Sequence, residues 1–254
     1  MKWILVTASF GQENYHDAAE RLLLQARAFG LFEKCIHVTE QNLAIFAPKT
    51  SQTYGKFLND ECKGFGYYSW KPEIILTVSN LYKDHGVTYI DAGCEMNLNI
   101  FTKLRLKFMM KQASIGTYFY TLNYPEKLFS KKKIIDHFKL TPKQQNSPQI
   151  QATWFFLSGG IGKKIADIWA DTTLISIDMI NDSSEDEIDE FVENRYDQSI
   201  LSCLLKSLGI RSKRHKSCYR PLTLLSSINC YFHPIWSARN RSGTSIADGR
   251  RIEK

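Results

Sequence analysis

The chain has 254 residues, 43% of them hydrophobic and 23% charged, with a formal net charge of +7. That length suits one large α/β domain with a substantial core, or one domain with a small appendage, and the positive balance suits an anionic ligand or an anionic membrane face. They exclude a transmembrane helix, since no stretch reaches the ~20 apolar residues a span needs. The six cysteines lack CxxC spacing. They read as free thiols of a reducing cytoplasm rather than a zinc site or disulfide framework. Residues 1–9 carry too short an apolar run for a secretory signal.

Residues 3–8 (WILVTA) form a continuous apolar run, as expected of a central parallel strand. The C-terminal end of such a strand, here Thr7, Ala8 and Ser9, faces the ligand crevice of an open α/β sheet. A helix begins after Asn14 or His16, turns Ala18, Ala19, Leu22, Leu23 and Ala26 inward, and stops at Gly30. A short strand follows at 35–38, so the opening predicts a parallel pair joined by a right-handed crossover. Residues 47–63 read as a surface loop or short helix.

Residues 64–97 (GFGYYSWKPEIILTVSNLYKDHGVTYIDAGCEMN) organise the rest. They read as a glycine-rich aromatic loop, then a helix with Pro72 in its first turn, then a buried strand. Lys71 sits where the helix dipole disfavours a cation. It is either a phosphate contact or a solvated lysine. The strand ends at Asp91, followed by Ala92, Gly93 and Glu95. A carboxylate there can approach a metal–diphosphate or a sugar hydroxyl, or it caps a helix beginning near Asn97.

Residues 97–111 are amphipathic and basic, with Lys103, Arg105, Lys107 and Lys111, and read as a solvated face. A strand is predicted at 116–122. Residues 130–139 carry Lys131, Lys132 and Lys133 beside Ile134, Ile135 and Phe138. They predict a cationic amphipathic helix, either solvated or lying near an anionic membrane. After a polar loop at 141–148 come a buried strand at 149–157 and a helix at 163–169. Residues 181–190 are acidic and exposed. In residues 193–205 (ENRYDQSILSCLL), Asp197 and Ser199 flank a helix start whose Ile200, Leu201, Leu204 and Leu205 are buried. An acid beside an amide, as in Asp197 and Gln198, can hold sugar hydroxyls, or it is an ordinary N-cap. The tail from 211 is basic, and Arg239 and Arg241 have the guanidinium geometry that suits phosphate. No nucleic-acid-binding motif accompanies these cations, so nucleic acid is not an expected partner.

The GYYSWKP segment, the YIDAG strand end and the Asp-Gln pair come in the order found in bacterial polysaccharide glycosyltransferases of the GT-A type, and the chain resembles that family. The resemblance implies an α/β, GT-A-like fold, a Rossmann-type mixed sheet flanked by helices. It implies one domain over 1–254, with a nucleotide-binding half at about 1–115 and an acceptor-side half and basic tail at about 116–254. The implied activity is sugar transfer from a nucleotide-diphosphate donor, UDP-linked, to a glycan or lipid-linked glycan acceptor of capsule or lipopolysaccharide. The alternative is a non-catalytic nucleotide-sugar- or glycan-binding relative. Thr7, Ala8, Lys71, Asp91, Ala92, Gly93, Arg239 and Arg241 would then bind the donor. Asp197 and Gln198 would orient its sugar, with retention of configuration; an inverting enzyme would need Glu95 or Asp178 as base. Asp91 and His233 would hold a divalent ion, manganese or magnesium, although Gly93 stands where the family's second Asp belongs. The implied location is cytoplasmic, peripheral at the inner face of the membrane.

Overall fold

A computed structural model describes residues 1–183, 187–214 and 231–241. Its central sheet has the order β2-β1-β3-β8-β5. The members are β1 (Lys2–Ala8), β2 (Lys34–Val38), β3 (His85–Ile90), β8 (Trp154–Leu157) and β5 (Thr117–Tyr118). β1 pairs in parallel with β2 and β3, whereas β8 runs antiparallel to both β3 and β5. The sheet is therefore mixed, as expected of a GT-A-like fold. Both faces are covered, which is why β1 reads as an unbroken apolar run. Ile4 and Val6 join one core with Val87, Tyr89, Phe155 and Leu157, while Trp3 and Leu5 join the other with Leu22, Trp154 and Phe156.

The first face is covered by α5 (Trp70–Leu81), α9 (Gly159–Thr173) and α10 (Asp197–Ser207). The second is covered by α1 (Glu13–Phe29) and α6 (Ile100–Ala113). α1 ends at Gly30 in the left-handed conformation, as its sequence predicts, but it starts after Gln12 with no side-chain cap. The cap of α6 is Asn99, which forms a reciprocal capping box with Thr102. Asp91 is thereby released from the capping role the sequence also allowed.

The predicted strand at 116–122 divides. Beyond Phe119 the chain leaves the central sheet as β6 (Tyr120–Pro125), which pairs with β7 (Pro148–Ile150) and β9 (Lys213–Arg214). The predicted strand at 149–157 divides likewise, into β7 and β8. The break at 151–153 lets the Thr153 carbonyl accept the Asp91 N–H at 2.8 Å. After the short turn α2 (Leu43–Phe46), the stretch read at 47–63 as a loop or short helix forms α3 (Pro48–Tyr54), and the loop predicted at 141–148 contains the short turn α8 (Pro142–Gln145). Thr141 and Gln144 close a capping box on α8.

The predicted cationic helix is α7 (Lys132–His137), and its lysines are engaged within the fold. Lys131 is 3% exposed and donates to the Asp178 carbonyl at 2.9 Å. Lys132 pairs with Asp136, and Lys133 lies 3.5 Å from Asp178. Ile134 and Ile135 are buried. The side of this stretch that carries Lys131, Ile134 and Ile135 thus faces the core, while Lys132 and Lys133 remain exposed in surface ion pairs. No helix among the described residues is long and apolar enough to cross a membrane. Among the same residues, Cys35, Cys62, Cys94 and Cys203 are free thiols.

Candidate active site

β3 ends at the carboxyl edge of the sheet beside the end of β1, and Asp91 follows its last residue. Lys71, in the first turn of α5, points to the same edge. Its Nζ lies 3.1 Å from Asp91 Oδ1 and 3.1 Å from Asp197 Oδ2. Asp197 is the first residue of α10, so three elements place one charge each at a single point. The Lys71 and Asp197 side chains are 3% and 5% exposed, and Asp91 is 35% exposed. Asp91 is thus the open face of the cluster.

The rings of Tyr68, Trp70 and Tyr89 surround the ammonium at 5.4, 6.0 and 4.8 Å from their centroids, within cation–π range. Burial opposes the charge on Lys71, but Asp197 and Asp91 outweigh it, and the ammonium's pKa lies above that of an ordinary lysine. Burial pushes the Asp197 carboxyl up to about 6, with Lys71 pulling it back. Burial and Asp91 likewise raise the phenol of Tyr68. The dipole-unfavourable lysine therefore has a local reason to exist. Its cation neutralises two carboxylates rather than standing open to a phosphate.

Backbone strain surrounds this cluster. In the turn α4 (Gly64–Tyr67) and the residue after it, Gly64, Phe65, Gly66, Tyr67 and Tyr68 carry φ of 61°, 53°, 91°, 57° and 59°. Left-handed conformations in non-glycine residues cost on the order of 1–3 kcal/mol each and persist only where packing enforces them. Here Phe65 stacks on Phe10 at 4.8 Å, and Tyr67 and Tyr68 pack on Tyr196 at 5.7 and 5.8 Å. Trp70 Nε1 donates to the Gly64 carbonyl at 3.2 Å. Tyr196 itself has φ 52° and immediately precedes Asp197. Trp169 Nε1 pins the Asp197 carbonyl at 2.9 Å.

The Asp-Ala-Gly turn is clamped from behind. Arg21 of α1, 4% exposed, donates to the carbonyls of Ala92, Cys94 and Asn240 at 3.2, 3.0 and 3.2 Å. Asn240 N–H donates to the Gly93 carbonyl at 2.9 Å, and its side chain donates to Glu95 Oε1 at 2.7 Å. Glu95 is fully buried, so it supports this turn. Arg239 is exposed, and its Cα would lie 3.5 Å from a Cβ added at Gly93. The Arg241 guanidinium sits 5.2 Å over the Tyr15 ring. The two arginines thus flank the Asp91 turn and α1.

Other expected site residues fall differently. Thr7 is 0% and Ala8 6% exposed. The polar groups at that edge are instead Ser9, His16, His37 and Glu40. Ser9 Oγ lies 3.0 Å from His16 Nδ1 and 2.7 Å from His37 Nε2, and His16 Nε2 is 3.6 Å from Glu40. Burial, then His16, pushes the His37 pKa below the ordinary histidine value. This group escaped sequence reading because its members span 32 positions with no shared motif; only the predicted strand ends at 8 and 38 pointed to it. The Gln198 amide accepts from Ala152 N–H at 3.1 Å and donates to Gln149 at 2.7 Å. Asp178 is exposed and paired with Lys133.

A divalent ion needs several hard donors in one place. Among the described residues no three His, Cys, Asp or Glu side chains form such a group. Asp91 already shares an ammonium, and residue 93 has no side chain to offer. His233 is buried, with Nδ1 2.6 Å from the Ile235 carbonyl and its ring against Trp154 and Tyr120 at 5.6 and 6.0 Å. These residues do not fit an ion held by the protein alone.

No protein-family model matches the sequence, and no curated protein matches it. Solved structures do. The chain is similar to a glycosyltransferase involved in the glycosylation of the major capsid of PBCV-1, with a TM-score of 0.51 and 10% identity over 98% of this chain and 96% of that one. It is also similar to the apo structure of the bifunctional glycosyltransferase WbbM, with a TM-score of 0.50 and 8% identity over 92% of this chain and 45% of that one. Mouse xyloside xylosyltransferase 1 in its apo form gives a TM-score of 0.48 at 11% identity, over 94% of this chain and 98% of that one. At such identities the likeness is one of fold, and that fold is GT-A-like.

Proposed function

We propose that the protein is a glycosyltransferase that moves a sugar from a nucleotide-diphosphate donor to a hydroxyl of a glycan acceptor. The observation that carries this reading is the junction of Asp91 and Asp197 on the Lys71 ammonium at 3.1 Å each, at the carboxyl edge of a GT-A-like sheet. Ligands of open α/β sheets bind at that edge. Transfer requires a developing positive charge at the anomeric carbon to be stabilised and a leaving diphosphate to be neutralised. The exposed oxygen of Asp91 is the group available to the donor. Asp197, buried behind Lys71, holds that cation and sets the charge of the site. Arg239 and Arg241 supply cations beside the Asp91 turn, and Ser9, His16 and His37 offer hydrogen bonds at the nucleoside end. UDP as the nucleotide, a capsule or lipopolysaccharide acceptor, and retention of configuration are the finer parts of the proposal.

The test is nucleotide release from a panel of nucleotide sugars, with and without glycan acceptors and with and without manganese. Asp91→Asn and Asp197→Asn should lower turnover by about a hundred- to a thousandfold, with the fold retained by circular dichroism. Wild-type turnover in both folded variants would refute the site. A second reading, a nucleotide-sugar binder, draws on the engagement of the Gln198 amide by Ala152 and Gln149. It predicts that donors raise the melting temperature but nucleotide is never released.

A further inference from the structure

The second cover helix, α6, turns Thr102, Leu106, Met109, Met110 and Ala113 into the core. Its opposite side is apolar as well. Ile100, Phe101, Leu104 and Phe108 are 65%, 53%, 58% and 58% exposed. At about 100° per residue, Phe101, Leu104 and Phe108 fall within about 60° of one another, with Gln112 and Arg105 beside Phe101 and with Lys111, Ile100 and Lys107 following in turn beyond Leu104. Phe232 extends the patch. It is 42% exposed, its ring lies 5.5 Å from that of Phe101, and its carbonyl accepts from Arg105 at 3.1 Å. No Asp or Glu occurs between Glu95 and Glu126. Solvent alone does not account for such a helix, because exposed contiguous apolar side chains are costly and mark contact surfaces.

We infer that the outward face of α6 docks on an anionic lipid bilayer, with Phe101, Leu104 and Phe108 entering the interface and Lys107 and Lys111 meeting the headgroups. Charge complementarity selects this partner. Every charged side chain on this face is a cation, which matches a surface that is apolar below and negative above. A second copy of the same helix would set those cations against one another. This inference goes beyond the catalytic proposal, and its test uses no donor, so each can fail alone.

The experiment is co-sedimentation of the full chain with vesicles of phosphatidylcholine alone or of phosphatidylcholine and phosphatidylglycerol in equal parts. The wild type should bind the anionic vesicles, weakly the neutral ones, and less as salt is raised. A variant with Phe101→Ser, Leu104→Ser and Phe108→Ser, and another with Lys107→Gln and Lys111→Gln, should each lose about tenfold or more in binding. The substituted side chains are outside the core, and the melting temperature checks that both variants fold. Equal binding to both vesicle types, no binding by the wild type, or wild-type binding by the variants would overturn the inference. So would conversion of an oligomer to monomers by the serine variant in size-exclusion chromatography, which would assign the face to a second copy.

Discussion

Lys71 and Asp197 meet through a 3.1 Å contact between side chains that are 3% and 5% exposed. Neither is stable alone at that depth, because a buried charge without its partner pays a desolvation cost that nothing offsets. Replacing Lys71 with Met would leave Asp197 buried beside Asp91 with no cation between them. Lys71→Met should lower unfolding stability by about 3–5 kcal/mol, read from denaturant midpoints. Unchanged stability would mean the carboxylates find other partners.

The same pair sets a pH dependence. Burial raises the Asp197 carboxyl to about 6. Its folded pKa exceeds the unfolded one, so its contribution to stability is present at low pH and lost as pH rises through about 6. Asp197→Asn removes that slope, and the stability of the variant relative to wild type should climb between about pH 4 and 7. Activity should run the other way: if the ionised form holds Lys71 in place, turnover should fall on acidification with an apparent pKa near 6. A flat profile from pH 5 to 8 in a chemistry-limited assay would separate Asp197 from the reaction.

His37 gives the opposite stability sign in an overlapping window. Burial and the neighbouring His16 depress its pKa in the folded state. The unfolded chain therefore takes up the proton first, and stability drops as pH falls below the ordinary histidine range. His37→Gln should lessen the acid destabilisation between about pH 7 and 5. Thermal unfolding of both proteins across that range measures the difference.

Arg21 holds the carbonyls of Ala92, Cys94 and Asn240 together. Arg21→Leu keeps much of the volume but strands buried acceptors, each loss costing about 1–3 kcal/mol. The variant should be less stable and should lose turnover, because the turn carrying Asp91 is no longer fixed against the segment carrying Arg239. A variant that melts lower but turns over normally would confine Arg21 to stability.

Gly86 lies under the indole of Trp3, and a Cβ at this position would overlap that ring. Gly86→Ala should destabilise by about 1–3 kcal/mol, as overpacking does, while leaving the donor's KM unchanged. Equal melting temperatures would show that Trp3 moves aside freely.

The apolar run WILVTA, the inward face of α1 with its Gly30 stop, and the Pro72 helix were legible in the sequence, because periodicity and backbone preference act over a few neighbouring residues. Asp91 as a strand-end carboxylate and Asp197 as a helix-start acid were legible in the same way. What the sequence could not supply was the meeting of residues 71, 91 and 197, or of Ser9 with His16 and His37. Those depend on strand order and on the depth at which each side chain lies. Burial also decided the roles. It turned Lys71 from an open cation into the counter-ion of two acids, and Glu95 into a support for the Asp-Ala-Gly turn. It tied Lys131 inward and left the apolar side of α6 in solvent. Local pattern shows which residues share a face, but only tertiary packing determines whether that face meets the core, a ligand or water.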